Sequence, residues 1–145
     1  MSAQAVAPVL VETPQPEYAL KLRTARRHAL VVDDNPDITA MLAAVLRHAG
    51  YEVSTSHSAQ DALEAALAKH FDVVVSDIGM PGMNGYELAR ALRALPEYDA
   101  VPMVAVTGFA MYDDRDRALE AGFDAHLSKP IAPLDLTQAI SGIRH

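Results

Sequence analysis

Residues 28–34 read His-Ala-Leu-Val-Val-Asp-Asp, and residues 73–77 read Val-Val-Val-Ser-Asp. Each is a short apolar run closed by carboxylates. Such runs, bounded by turn formers, read as buried strands of a parallel sheet. Strands are expected over 29–33 and 72–76. In open α/β sheets the functional crevice lies outside the carboxyl ends of the strands. Two strands would then deliver Asp33, Asp34 and Asp77 to one crevice. Three anions that close repel unless a cation neutralises them, and an all-oxygen ligand set suits Mg²⁺.

Outward from these runs the chain alternates strand and helix. Asn35 suits an N-cap and Pro36 the first helical position. Ile38, Met41, Leu42, Val45, Leu46 and Ala49 then recur at three and four, the apolar stripe of a helix that stops at Gly50. Tyr51 to Thr55 predict a second strand. Ser58 caps a helix that uses Ala62, Leu63, Ala66 and Leu67. After the third strand, Pro81, Gly82, Asn84 and Gly85 make a loop, and a helix runs from about Tyr86 to Leu95. Val101 to Val106 predict a fourth strand. A weaker helix covers about Tyr112 to Ala121 and ends at Gly122. A short strand, Ala125 to Leu127, precedes a last helix that buries Leu136, Ala139, Ile140 and Ile143. Five such βα repeats give a doubly wound parallel sheet.

The 145 residues fit one domain with a tail. Residues 1–27 contain Pro8, Pro14 and Pro16 and show no sustained period, so they read as a disordered or partly helical leader. Residues 28–145 form the domain. Lys21, Arg23, Arg26 and Arg27 against Glu12 and Glu17 put +2 on residues 1–27, which leaves −9 of the total −7 on the rest. That balance disfavours nucleic acid, whose phosphates need Lys and Arg. There is no cysteine, so disulfide and thiolate chemistry are out. No apolar stretch approaches the roughly 18 residues of a membrane span, and the amino terminus is a poor signal peptide. A cytoplasmic protein is expected, with neither nucleic acid nor membrane as partner.

Four pieces, each near a strand end, carry a family resemblance. They are Val-Val-Asp-Asp at 31–34, Ser-Asp-Ile-Gly-Met-Pro-Gly-Met-Asn-Gly-Tyr-Glu-Leu at 76–88, Val-Thr-Gly at 106–108 and Ser-Lys-Pro at 128–130. In this order they resemble the receiver (CheY-like) domain of two-component response regulators. The resemblance implies a flavodoxin-like fold with strand order 2-1-3-4-5 and five helices. It puts strands 1 and 3 side by side at the topological switch point.

The resemblance also implies roles. Asp77 matches the phosphoacceptor, and a carboxylate can attack phosphorus if its charge is partly neutralised. Asp33 and Asp34 match the acidic pair that holds Mg²⁺, with Asp77 and the backbone carbonyl of Gly79 as further ligands. Thr107 and Lys129 match the hydroxyl and ammonium that meet the phosphoryl oxygens. The Lys129–Pro130 peptide is expected to be cis. His126 is a departure: it stands where the family usually has a rotating Tyr or Phe, so Thr107 and His126 form the expected switch. Gly79 and Phe109 stand at positions that flank the path of attacking water. Neither offers a side chain to orient water. Gly79 leaves room for solvent, but the bulky, apolar Phe109 is expected to shield the phosphoryl group, so a long-lived phosphorylated form is expected. The other histidines (His28, His48, His57, His70, His145) show no metal-ligand spacing and read as surface. Gly79, Gly82 and Gly85 lack the G-x-G-x-x-G spacing and read as loop formers.

The leading expectation is a phosphorylation-activated switch of a two-component phosphorelay, most simply a single-domain response regulator. A histidine kinase or phosphotransfer protein would donate to Asp77, and an unknown downstream protein would read the changed face. Such a domain catalyses only its own phosphorylation and dephosphorylation. The run from Glu120 to Pro130 also resembles receivers of hybrid histidine kinases, so a module cut from one is an alternative. Two others are an interaction module that takes no phosphate and an aspartyl-phosphate hydrolase. The intact acidic set speaks against the first; the absence of an Asp-x-Asp after the third strand speaks against the second.

Overall fold

The computed structural model describes residues 26–108 and 114–143. Five strands and five helices alternate along them. The strands are β1 (His28–Val32), β2 (Glu52–Ser56), β3 (Val73–Asp77), β4 (Met103–Thr107) and β5 (Ala125–Ser128). The helices are α1 (Pro36–His48), α2 (Ala59–Ala68), α3 (Gly85–Arg93), α4 (Asp114–Ala121) and α5 (Pro133–Ser141). All strand pairs are parallel, and the order is 2-1-3-4-5.

The period-two rule of strands explains how the sheet becomes the middle layer. Leu30, Val32, Val74, Met103 and Ala105 face a core built with α2, α3 and α4. Their neighbours Ala29, Val31, Val73, Val75, Val104 and Val106 face the opposite core, with α1 and α5. Both faces are covered, so the central strands carry near-continuous apolar sequence.

The helix starts follow local chemistry. Asn35 Oδ1 accepts from Asp37 N at 2.9 Å, with Pro36 at the first helical position. Ser58 Oγ accepts from Asp61 N at 3.0 Å. Asn84 and Glu87 form a reciprocal capping box at 3.0 and 2.9 Å. Gly50 and Gly122 close α1 and α4 with φ of +103° and +121°, a conformation costly for any residue with a Cβ.

Several expectations are corrected. Strands 1, 2 and 3 are displaced by one residue, strand 4 starts two residues later and ends one later, and strand 5 ends one later, so Asp33 lies just past β1 while Asp77 closes β3. Met41 and Leu67, expected on the buried stripes, are 36 % and 64 % exposed, Ala49 is exposed as well, and Ala139 and Ile143 of the last helix are only half-buried. Helices α1 and α2 bury Thr39 and Ala43, and Ala59, instead. Helix α3 ends at Arg93 because the chain turns into a 3₁₀ segment, Pro96–Tyr98, which was not foreseen. His28 is half-buried rather than superficial. The leader up to residue 25, Phe109, the expected helix start at Tyr112, and His145 lie outside the described residues. No helix among those described is long and apolar enough to cross a membrane.

Candidate functional site

Register brings the carboxylates together. Val32 of β1 is the partner of Ser76 on β3. The next residues, Asp33 and Asp77, therefore leave adjacent strand ends. Carboxylate oxygens of Asp33, Asp34 and Asp77 all lie within 4.8 Å of one another. Asp33 is 1 % and Asp77 6 % exposed, whereas Asp34 faces solvent. They line a crevice of about 550 Å³ together with Gly79, Thr107, Gly108 and Lys129. A somewhat larger hollow, about 620 Å³, lies among the amino ends of the strands and holds none of these residues.

Lys129 comes from the far side of the sheet. Ser128 pairs with Thr107 at the end of β5, so Lys129 is the first residue past it. Its N–H donates to Thr107 O at 2.8 Å, and the Lys129–Pro130 peptide is cis. Lys129 Nζ reaches Asp33 Oδ2 at 2.8 Å and Asp77 Oδ1 at 3.5 Å. Thr107 closes β4 and is buried.

The electrostatics follow from this packing. Burial and then the nearby Asp33 charge push the Asp77 carboxyl above its ordinary range; Lys129 pulls it back only in part. Burial alone would lower the Lys129 ammonium, but the Asp33 hydrogen bond and the charges of Asp77 and Asp33 raise it. Three carboxylates face one ammonium, so the fully ionised crevice keeps an excess of two negative charges. The three clustered acidic side chains offer a cation only carboxylate oxygens, the ligand type that hard divalent cations prefer. Gly79 lines the same crevice, and a Cβ there would meet nothing within 4 Å.

Two close contacts hold Asp77 itself. Ser76, fully buried, donates its hydroxyl to Asp77 O at 2.8 Å. Gly85, the first residue of α3, packs against that carbonyl so tightly that an added Cβ would collide with it. The sequence marked Gly85 only as a loop former.

His126 pairs with Ala105, so it leaves the sheet on the α3 and α4 side. It is half-buried, and its Nε2 is buried without a hydrogen-bond partner among the described residues. It does not line the crevice. On the same side the Tyr86 hydroxyl donates to Asp114 Oδ1 at 3.4 Å. Nothing local in the sequence announced that pair, which joins residues 28 positions apart. Asn35 and Gly108 also line the crevice, a place that the capping role of Asn35 does not announce.

Comparison with known proteins agrees with this geometry. The family model described as "Response regulator receiver domain" matches residues 29–141. Sensor histidine kinase RcsC of Escherichia coli K12 is 40 % identical over 102 residues, which are 70 % of this chain and 10 % of that protein. The chain thus spans a tenth of RcsC. Chemotaxis protein CheY4 of Vibrio cholerae superposes with a TM-score of 0.78 at 32 % identity, covering 83 % of this chain and all of that one. The receiver domain of sensor histidine kinase PA1611 of Pseudomonas aeruginosa has a TM-score of 0.75 at 30 % identity, covering 82 % and 98 %. That domain was solved with a magnesium ion coordinated in its active site cleft.

Proposed function

The chain belongs to the response regulator receiver family, a family of phosphorylation-activated signalling switches rather than turnover enzymes, and from that premise we propose that Asp77 is its phosphoacceptor. The observation that carries the assignment is the crevice: a buried carboxylate with a second carboxylate and an ammonium within reach, at the ends of adjacent central strands. An Asp77 carboxylate oxygen forms the new bond to phosphorus. The bond from phosphorus to the donor histidine nitrogen breaks, and the imidazole leaves with that electron pair. Histidine kinases or phosphotransfer proteins are the proposed donors, and a downstream protein is the proposed reader. Residues 28–145 are proposed as the receiver domain, with residues 1–27 as a leader, and the cytoplasm, where the kinase's phosphoryl donor is made, as its compartment.

Asp33, Asp34, Asp77 and the Gly79 carbonyl are proposed to hold Mg²⁺. The fit rests on the all-oxygen set, the two uncompensated charges and the exposed side of Asp34, which leaves room for the waters this ion retains. When bound, the ion supplies charge neutralisation for the incoming phosphoryl oxygens. The protein's own groups do the rest. Lys129, already suspended between Asp33 and Asp77, is placed to follow the added charge. Thr107, buried at the end of β4, is placed to donate its hydroxyl. Movement of these two toward the phosphoryl group, with a response at His126, is the proposed switch. A stable aspartyl phosphate is proposed: Gly79, two residues after Asp77, offers no side chain to orient water, and shielding by Phe109 is proposed to outweigh the room that Gly79 leaves for solvent.

Incubation with a small phosphodonor, read by intact mass, tests the assignment. A single added phosphoryl group that requires Mg²⁺ supports it. No addition would indicate an interaction module, and multiple turnover without a phosphoprotein would indicate a hydrolase.

A further inference from the structure

The acidic corner is braced from a side that none of its proposed ligands supplies. Asp33 N donates to Ser56 O at 3.1 Å, tying the end of β1 to the end of β2. The next residue on that loop is His57. Its Nε2 lies 3.1 Å from Thr39 Oγ1, and the same oxygen lies 3.0 Å from Pro36 O. Thr39 is 2 % exposed, so its hydroxyl has little water to turn to.

A hydroxyl carries one proton, and a carbonyl can only accept. With the ring proton on Nε2, His57 donates to Thr39 Oγ1, and the Thr39 proton is left for Pro36 O. This donor arrangement holds for the neutral ring with its proton on Nε2 and for the imidazolium alike. The chain His57–Thr39–Pro36 thus links the β2–α2 loop to the first turn of α1. Pro36 and Asn35 line the crevice, and Asn35 N donates to Asp33 Oδ1 at 2.9 Å. The segment 33–36 is clamped at both ends, with the exposed Asp34 between the clamps.

We propose that His57 is a positioning residue for divalent-cation binding by Asp33 and Asp34. This rests on the receiver reading of the crevice given above. Groups that orient metal ligands without touching the metal set how much ordering is left for binding to supply. His57 acts through Thr39 and the backbone of Pro36, never on the ion or the phosphoryl group.

The test is an NMR titration of the ¹⁵N-labelled full chain with MgCl₂, without phosphodonor, for wild type, His57→Ala, His57→Gln and Thr39→Val. Glutamine can place an amide N–H near the site of Nε2. The expected result is an apparent Mg²⁺ dissociation constant raised about three- to tenfold in His57→Ala and Thr39→Val. His57→Gln should return most of the loss, while the spectrum away from the crevice stays unchanged. The double variant should be no worse than the weaker single one, because both changes cut one chain of bonds. Equal affinity in wild type and His57→Ala would overturn the role of His57 and leave the receiver reading standing. A wild type with no Mg²⁺-dependent shifts at Asp33, Asp34 or Asp77 would overturn both. Failure of His57→Gln to improve on His57→Ala would also count against a positioning role.

Discussion

At the scale of single residues, the crevice costs stability that its chemistry needs. Asp77 has a raised carboxyl pKa because burial and Asp33 disfavour its charge. An acid whose folded pKa exceeds its unfolded value destabilises the fold once ionised. The penalty is absent below the unfolded pKa, grows as pH rises through the interval up to the raised folded pKa, and is complete above it. Asp77→Asn should therefore melt a few degrees higher than wild type near pH 7 in metal-free buffer. The gap should close as the pH falls below the carboxylate range, and a melting series with pH checks this. Lys129→Ala removes the one ammonium that, among the described residues, pairs with Asp33 and Asp77. It should cost on the order of 1–3 kcal/mol in metal-free buffer. Adding Mg²⁺ should raise its melting temperature more than that of wild type, since a bound cation replaces part of the lost charge. Equal Mg²⁺ shifts would argue that the ion and Lys129 do not share these carboxylates.

At the scale of elements, long-range ties hold the strand ends and helices that carry the site. Arg93, on the last turn of α3, donates Nε to Gly122 O at 2.9 Å and Nη1 to Tyr98 O and Val101 O, both at 2.7 Å. Its Nη2 pairs with Asp124 at 2.9 Å, and Asp124 also accepts from Met103 N at the start of β4. Lysine cannot reproduce that fork. Arg93→Lys should lose roughly 1–3 kcal/mol in a denaturant melt without changing which residue is phosphorylated. The other end of α3 touches the site directly. Gly85→Ala would push a methyl into the Asp77 carbonyl, so α3 or Asp77 must move. The expected outcome is much slower phosphorylation by a small donor in a protein that still folds. An unchanged rate would show that the contact relaxes without disturbing the carboxylate.

At the scale of the whole molecule, the layer order and the meeting of the carboxylates were legible because both follow from local pattern. Apolar runs closed by acids mark parallel strands, and a parallel sheet in order 2-1-3-4-5 places β1 beside β3. The ends of the buried strands 1, 3 and 4 slipped by one or two residues because a buried parallel strand has no polar alternation to fix its limits. Met41 and Leu67 were misplaced because a helical stripe shows which residues are apolar, not how wide the covered face is. The braces escaped altogether. His57 to Thr39, Tyr86 to Asp114 and Arg93 to Gly122 join residues 18, 28 and 29 positions apart, and no spacing rule connects them. What the whole molecule is built to do reduces to one bond, between Asp77 and phosphorus. The most direct test phosphorylates the full chain with a small donor and Mg²⁺, reduces the acyl phosphate with borohydride, and locates the homoserine so formed by tandem mass spectrometry. Homoserine at position 77, absent without Mg²⁺, is the predicted result. Modification at any other residue, or none in a folded protein, would contradict the account.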